Sequence, residues 1–156
     1  MNAHVRHAGE VAVGHLADQP WFEATVVRFL RLWGDGPDGQ VRMQYECLSL
    51  AGPEDGPRLI AAWAEMIDLL AHHRRRPLMR HSTDCPCMGA DEAFFAFFLA
   101  TAAEGESEDA LMAALLLVRA DVAPLVTDFA RQVGLSLKQA HLCGGYATPE
   151  QGQRLH

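Results

Sequence analysis

Signatures that would assign a reaction are missing from this chain of 156 residues. It has no His-Glu-x-x-His zinc motif, no phosphate-cradling glycine-rich loop and no Gly-x-Ser-x-Gly turn of hydrolases. It also has no Glu-x-x-His pair of the kind that di-iron helical bundles use. The sequence therefore names no reaction, and whether the protein is an enzyme stays open.

Long apolar runs are missing as well. No segment reaches the roughly 18 uninterrupted apolar residues that a membrane helix needs, and Met1 to Gly14 has no continuous apolar stretch typical of a secretory signal. Four cysteines in a chain of this size do not make a disulfide framework. We therefore expect a cytoplasmic protein with reduced thiols and no membrane partner.

Positive charge is scarce, and lysine is scarcer still. The net charge is −7, and Lys138 is the one lysine among 13 basic residues. This balance argues against a general nucleic-acid binder. An apolar content of 49% and a charged content of 21% are those of an ordinary globular protein. The length predicts a single domain, residues 1–156, with a substantial core.

Hydrophobic periodicity predicts an all-α, single-domain bundle of five or six helices. Apolar residues recur at helical spacing from Phe22 to Trp33 and from Leu59 to Leu70. Residues 40–51 fit a helix but also alternate like a strand, and we favour helix because the neighbouring elements are helical. The composition of 52–57 predicts a break in the chain.

The ends of the chain are predicted to be irregular arms. Residues 1–17 carry no helical pattern, although 11–13 fit a short strand or turn. The last helix is expected to end at Gly134. The polar, glycine-containing segment 136–156 is then expected to be irregular.

A central apolar helical hairpin is predicted between these arms. Residues 90–104 bear five large apolar side chains that cover much of the helix circumference, and 111–118 are apolar on nearly all sides. A charged turn at 105–109 joins them. Such a hairpin lies at the centre of a fold or covers its second face with another subunit, so we expect a homo-oligomer, most simply a dimer.

The segment His81-Ser-Thr-Asp-Cys85-Pro-Cys87-Met-Gly89 is the strongest candidate site. In an extended loop, residues i and i+2 project to the same side, so Cys85 and Cys87 can both reach one ion, with His81 as third ligand. Zinc takes cysteine and histidine in such mixtures. The sequence thus favours a zinc-like metal site of structural or regulatory role.

Two features of the sequence leave this metal site open. His141 and Cys143, again one residue apart, are optional further ligands. If Asp84 instead caps a helical turn, Cys85 and Cys87 point about 200° apart and cannot share an ion. The spacing also differs from the two to four intervening residues that zinc sites prefer.

Two other functions compete with metal binding. The first is a thiol-redox protein, because a disulfide between residues i and i+2 closes a small strained ring that is easily reduced. The second is a helical interaction module without site chemistry, in which the cysteines are small buried apolar residues.

Arginines cluster just before the candidate site. Arg74, Arg75, Arg76 and Arg80 predict a patch for an acidic protein or a small anionic ligand, since guanidinium groups pair well with anions. The alternative is that these cations serve the negative end of the preceding helix.

Overall fold

The computed structural model describes residues 8–144, and in this range the fold is all-α, as predicted. Five helices make up the bundle, α1 (Trp21–Gly34), α2 (Pro37–His73), α3 (Ala90–Glu104), α4 (Ser107–Leu117) and α5 (Ala123–Gly144). Two short strands, β1 (Ala12–His15) and β2 (Cys87–Gly89), pair antiparallel, and single 3₁₀ turns cover Ala8–Glu10 and Leu16–Asp18.

The expected break at 52–57 is present as a kink at Gly52, where two helical stretches meet within α2. The helical prediction for 40–51 is confirmed. Gly52 alone leaves helical geometry, with φ of 80°, a conformation that favours glycine. Pro53 restarts the helix at once, since the first turn of a helix needs no N–H from that residue.

Parts of both predicted arms are regular, and the short strand expected at 11–13 is present as β1 (Ala12–His15). The structure has a strand and two 3₁₀ turns between residues 8 and 18, so this part of the N-terminal arm is regular. The predicted helix end at Gly134 is wrong, because α5 continues to Gly144. Gly134 instead permits close packing: a Cβ there would lie 2.6 Å from the Ala103 Cβ of α3. The predicted irregular segments 1–7 and 145–156 lie outside the described residues.

The core is built around α3, which packs against α1, α4 and α5, while α2 packs against α1 and α5. At its centre the Trp63 indole lies edge-to-face with the rings of Phe29 and Phe95, at centroid distances of 5.7 and 6.0 Å. The predicted central hairpin is therefore α3 and α4. Within residues 8–144, no helix has the length and apolar character needed to cross a bilayer.

One face of this hairpin remains exposed. Phe97 of α3 is 52% exposed, and Met112 and Leu116 of α4 are 66% and 67% exposed. Apolar side chains grouped on a surface often mark a contact with another protein. The homo-oligomer nevertheless stays a prediction, since the structure contains a single chain.

Candidate functional site

The candidate site lies on the connection between α2 and α3, where β1 holds an extended segment in place. His15 of β1 is paired with Cys87, and the Leu16 N–H donates to the Pro86 carbonyl at 2.8 Å. Asp84 lies in a turn in which the Cys85 N–H donates to the Ser82 carbonyl at 3.1 Å, but no helix follows it before the strand that begins at Cys87. Cys85 and Cys87 lie close together as half-buried free thiols.

A buried ion pair beneath this segment was missed by the sequence analysis. Arg31 of α1 and Glu92 of α3 are 1% and 0% exposed and form two hydrogen bonds, from Nε to Oε1 at 2.8 Å and from Nη2 to Oε2 at 2.9 Å. The carboxylate also accepts the backbone N–H groups of His81 and Gly89, each at 2.9 Å. Each carboxylate oxygen of Glu92 therefore accepts two hydrogen bonds, which replace those that burial prevents it from making to water.

Arg31 also holds the two cysteine residues by their backbone. Its Nη1 donates to the Cys85 carbonyl at 2.7 Å and its Nη2 to the Cys87 carbonyl at 2.5 Å. One rigid guanidinium therefore joins α1, α3 and the Cys-Pro-Cys segment. The guanidinium group thus binds the carbonyls of two residues separated by one, which lie on the same side of an extended chain.

The charges of the pair stabilise each other. Burial by itself would raise the pKa of Glu92, but the hydrogen bonds from Arg31 and from the Gly89 and His81 N–H groups outweigh it and hold that pKa below its ordinary value. Hydrogen bonding to Glu92 in turn raises the pKa of Arg31, and negative charge on Cys85 and Cys87 raises it further.

His81 is oriented for chemistry with Cys85. Its Nε2 lies 3.0 Å from the Glu10 carbonyl, and its Nδ1 lies 3.7 Å from the Cys85 Sγ. A carbonyl only accepts, so Nε2 carries a proton, and in the neutral imidazole Nδ1 presents its lone pair to the thiol. Gly89 leaves room for the ring, because a Cβ there would lie 2.9 Å from the imidazole Cδ2.

A second carboxylate fixes the start of the loop. Asp91, next to Glu92, accepts hydrogen bonds from both terminal nitrogens of Arg76 at 2.7 and 2.6 Å and from the Met79 N–H at 2.8 Å. Burial would raise the pKa of Asp91, but these hydrogen bonds hold it below its ordinary value. Gly9 packs directly on this carboxylate, where a Cβ would clash.

The four predicted patch arginines do different things. Arg76 binds Asp91, Arg75 donates to the Leu115 and Val118 carbonyls at the end of α4, and Arg80 donates to the Gly34 carbonyl at the end of α1. Among the described residues, the Arg74 side chain alone of the four has no hydrogen bond or ion pair. Much of the cluster thus serves helix ends, and the anion patch as a whole stays a prediction.

The optional ligands His141 and Cys143 are not brought to the loop. The His141 ring stacks on Trp21, with centroids 4.0 Å apart, and Cys143 is exposed near the end of α5. Trp21 begins α1, about 15 Å along the helix from Arg31 at the usual rise per residue. Within residues 8–144, no three His, Cys, Asp or Glu side chains are grouped to hold a metal ion.

The remaining cysteine has a structural role. Cys47 of α2 is fully buried in the core. Burial, with a smaller contribution from the charge of Glu46, raises its pKa to about 12. This thiol is therefore unsuited to chemistry at neutral pH.

One signal for the missed ion pair was present in the sequence. Val27 and Leu32 lie outside the apolar stripe from Phe22 to Trp33, so α1 is apolar on more than one side. Such a helix is buried on most sides, which leaves the Arg31 side chain little access to solvent. Glu92 stands at the third position of α3, where a carboxylate accepts the N–H that precedes the helix.

Comparison of the chain with models of protein families, with curated proteins and with solved structures found no match. The functional argument therefore rests on the geometry of the site itself.

Proposed function

We propose that this segment is a thiol–disulfide exchange site, in which Cys85 attacks and Cys87 resolves. The observation that carries the proposal is the oriented pair of Cys85 and His81, with Sγ and Nδ1 3.7 Å apart. A nucleophile beside a base, with the base held by a third group, is the arrangement that nucleophilic catalysis uses. Here the third group is the Glu10 carbonyl.

The exchange needs only a disulfide as co-reactant. His81 Nδ1 takes the proton of the Cys85 thiol, and the thiolate attacks one sulfur of a small disulfide such as oxidised glutathione. A mixed disulfide forms, and the leaving thiolate takes a proton from the imidazolium. Cys87 then attacks the Cys85 sulfur and releases the second thiol. Two electrons pass from the cysteine pair to the small disulfide, and the reverse steps return them when the strained Cys85–Cys87 disulfide oxidises a dithiol.

The resulting Cys85–Cys87 disulfide is expected to be a strong oxidant. It spans one intervening residue, so it closes a small ring with little freedom to relax. In a reducing cytoplasm, where we place the protein, such a pair rests as the dithiol and is oxidised transiently. Arg31 holds the carbonyls of both residues, so the backbone of the cysteine pair is fixed during the exchange.

Mass spectrometry after mixing with oxidised glutathione tests the proposal. The wild-type protein should gain an internal Cys85–Cys87 disulfide, whereas Cys87→Ser should stop at the mixed disulfide on Cys85. Replacing the base, as in His81→Gln, should slow the first step by about tenfold or more, because a cysteine without a base is only a few per cent thiolate at neutral pH.

Cys143→Ser is the matched control, because Cys143 is exposed and remote from His81. This variant should form the internal disulfide at the wild-type rate. The proposal fails if Cys85 reacts no faster than Cys143, or if no internal disulfide forms in glutathione buffers of any poise.

A soft metal ion at the same residues is the second candidate. Histidines that bind metal through one nitrogen usually donate the other to a carbonyl or carboxylate, as His81 does to Glu10. We propose zinc on Cys85, Cys87 and His81, with Cys87 turning toward the other two. His141 and Cys143 would take no part, given their distance from the loop.

Elemental analysis of the protein purified without chelator separates the two candidates. Near-stoichiometric zinc that is lost from the double variant Cys85→Ser/Cys87→Ser supports the metal site. Metal-free protein with reduced thiols contradicts it and leaves the exchange reaction. If the double variant changes neither thiol reactivity, metal content nor stability, the interaction module becomes the better explanation.

A further inference from the structure

A small apolar cavity lies between the ends of three helices, apart from the thiol site. It encloses about 150 Å³ and is walled by Leu30 and Trp33 of α1, Ile67 and Leu70 of α2, and Leu117 of α4. Apolar cavities of about this size accept a benzene-sized molecule. The walls therefore suit a single ring or a short branched chain.

Two arginines, Arg74 and Arg80, line the same cavity, and both are exposed. Arg80 is already engaged: it donates to the Gly34 carbonyl at 2.5 Å and lies 3.6 Å from the Asp35 carboxylate. A Cβ at Gly34 would clash with its guanidinium, so glycine lets Arg80 lie against the end of α1.

Arg74 differs from Arg80, because its backbone is hydrogen-bonded in place whereas its guanidinium group has no partner among the described residues. Its main chain forms an antiparallel bridge with Val118. Its guanidinium has no hydrogen bond or ion pair to any group in residues 8–144. The ends of α1 and α4 carry partial negative charge, and Arg80 and Arg75 already bind carbonyls there. Within residues 8–144, Arg74 is thus the arginine of this cavity that has no bound partner and is available to a ligand.

We infer that this cavity binds a small apolar monocarboxylate, with the hydrocarbon part inside and the carboxylate on Arg74 at the mouth. A few polar groups that orient a ligand above apolar walls are the usual composition of a small-molecule site. A carboxylate suits the guanidinium because two N–H groups can donate to its two oxygens. The inference is independent of the chemistry proposed for Cys85.

Titration of the ¹⁵N-labelled protein with benzoate, and separately with benzamide, tests the inference. The two probes share size and ring and differ in charge. Benzoate should shift the signals of cavity residues and bind about threefold to fivefold more tightly than benzamide, the factor expected for an ion pair with an exposed arginine. Arg74→Gln should remove this difference while leaving the benzamide affinity unchanged.

Two further variants make the result specific. Arg58→Gln removes an exposed charge on α2, away from the cavity, and should bind benzoate as the wild type does. Ala71→Trp places a large side chain at the exposed rim of the cavity and should block both probes. The inference is overturned if benzoate shifts no cavity signals, if Arg74→Gln keeps the preference for benzoate, or if Ala71→Trp binds as before.

Discussion

Replacing Arg31 with methionine should destabilise the protein far more than the same change three residues earlier. Arg28, also on α1, forms an equally bidentate pair with Glu46, from Nε at 2.8 Å and from Nη2 at 2.5 Å. That pair is exposed, with side chains 48% and 32% accessible, whereas Arg31 and Glu92 are 1% and 0% accessible. The two variants thus differ chiefly in burial.

The expected losses follow from this burial. Arg31→Met leaves a carboxylate without its cation inside the protein, and breaking such a pair lowers the free energy of unfolding by about 3–5 kcal/mol. An exposed pair contributes about 0–1 kcal/mol, so Arg28→Met should lie in that range. The methionine retains much of the apolar stem in each case, which keeps the packing change small.

A double variant tests whether the ion pair or its backbone contacts matter. Apolar replacement of both partners of a buried pair is often neutral. In Arg31→Met/Glu92→Leu, however, the carbonyls of Cys85 and Cys87 lose their donor and the N–H groups of His81 and Gly89 lose their acceptor. Each such group left buried lowers stability by about 1–3 kcal/mol, so the double variant should not recover.

Urea unfolding followed by far-ultraviolet circular dichroism measures all three variants. Equal losses in Arg31→Met and Arg28→Met would refute the assignment of burial as the deciding factor. Recovery of the double variant to within about 1 kcal/mol of wild type would show that the backbone contacts contribute little, because a satisfied pair and an apolar pair would then be equivalent.

Three further predictions concern the same region and the core. The pKa of Glu92 is lowered in the folded state, so the stability that its ionised form contributes is complete above its ordinary pKa of 4.5 and is lost as the pH falls through the lowered pKa. The free energy of unfolding of Glu92→Gln should therefore depend less steeply on pH in the acid range. Gly89→Ala should displace the His81 ring and lower stability by about 1–3 kcal/mol, while Gly14→Ala on the partner strand should change stability by less than about 0.5 kcal/mol, as thermal unfolding would show. Iodoacetamide should leave Cys47 unmodified in the native protein and modify it in urea, as peptide mass spectrometry would reveal; its modification without unfolding would contradict the high pKa.

Helical periodicity was enough to predict the class of the fold and most of its helices. The predicted helix 90–104 matches α3, and the apolar pattern of the hairpin follows from local spacing. Glycine residues were a less reliable indicator of where the helices end. Gly52 and Gly134 were both interpreted as ends, yet one is a kink and the other a close packing position against Ala103. The local sequence cannot distinguish these roles, because the neighbouring helix decides between them.

The cysteine motif and the arginine cluster were also visible in the sequence, together with the question of whether Cys85 and Cys87 share one side. Tertiary structure decided the backbone conformation between them. The conformation of Cys85 to Cys87 depends on Arg31, 54 residues away from Cys85, and on the pairing with β1. Short-range propensity carries no information on such contacts. The sequence by itself therefore determined which residues could react, and the packing of α1, α3 and β1 determined which of them meet.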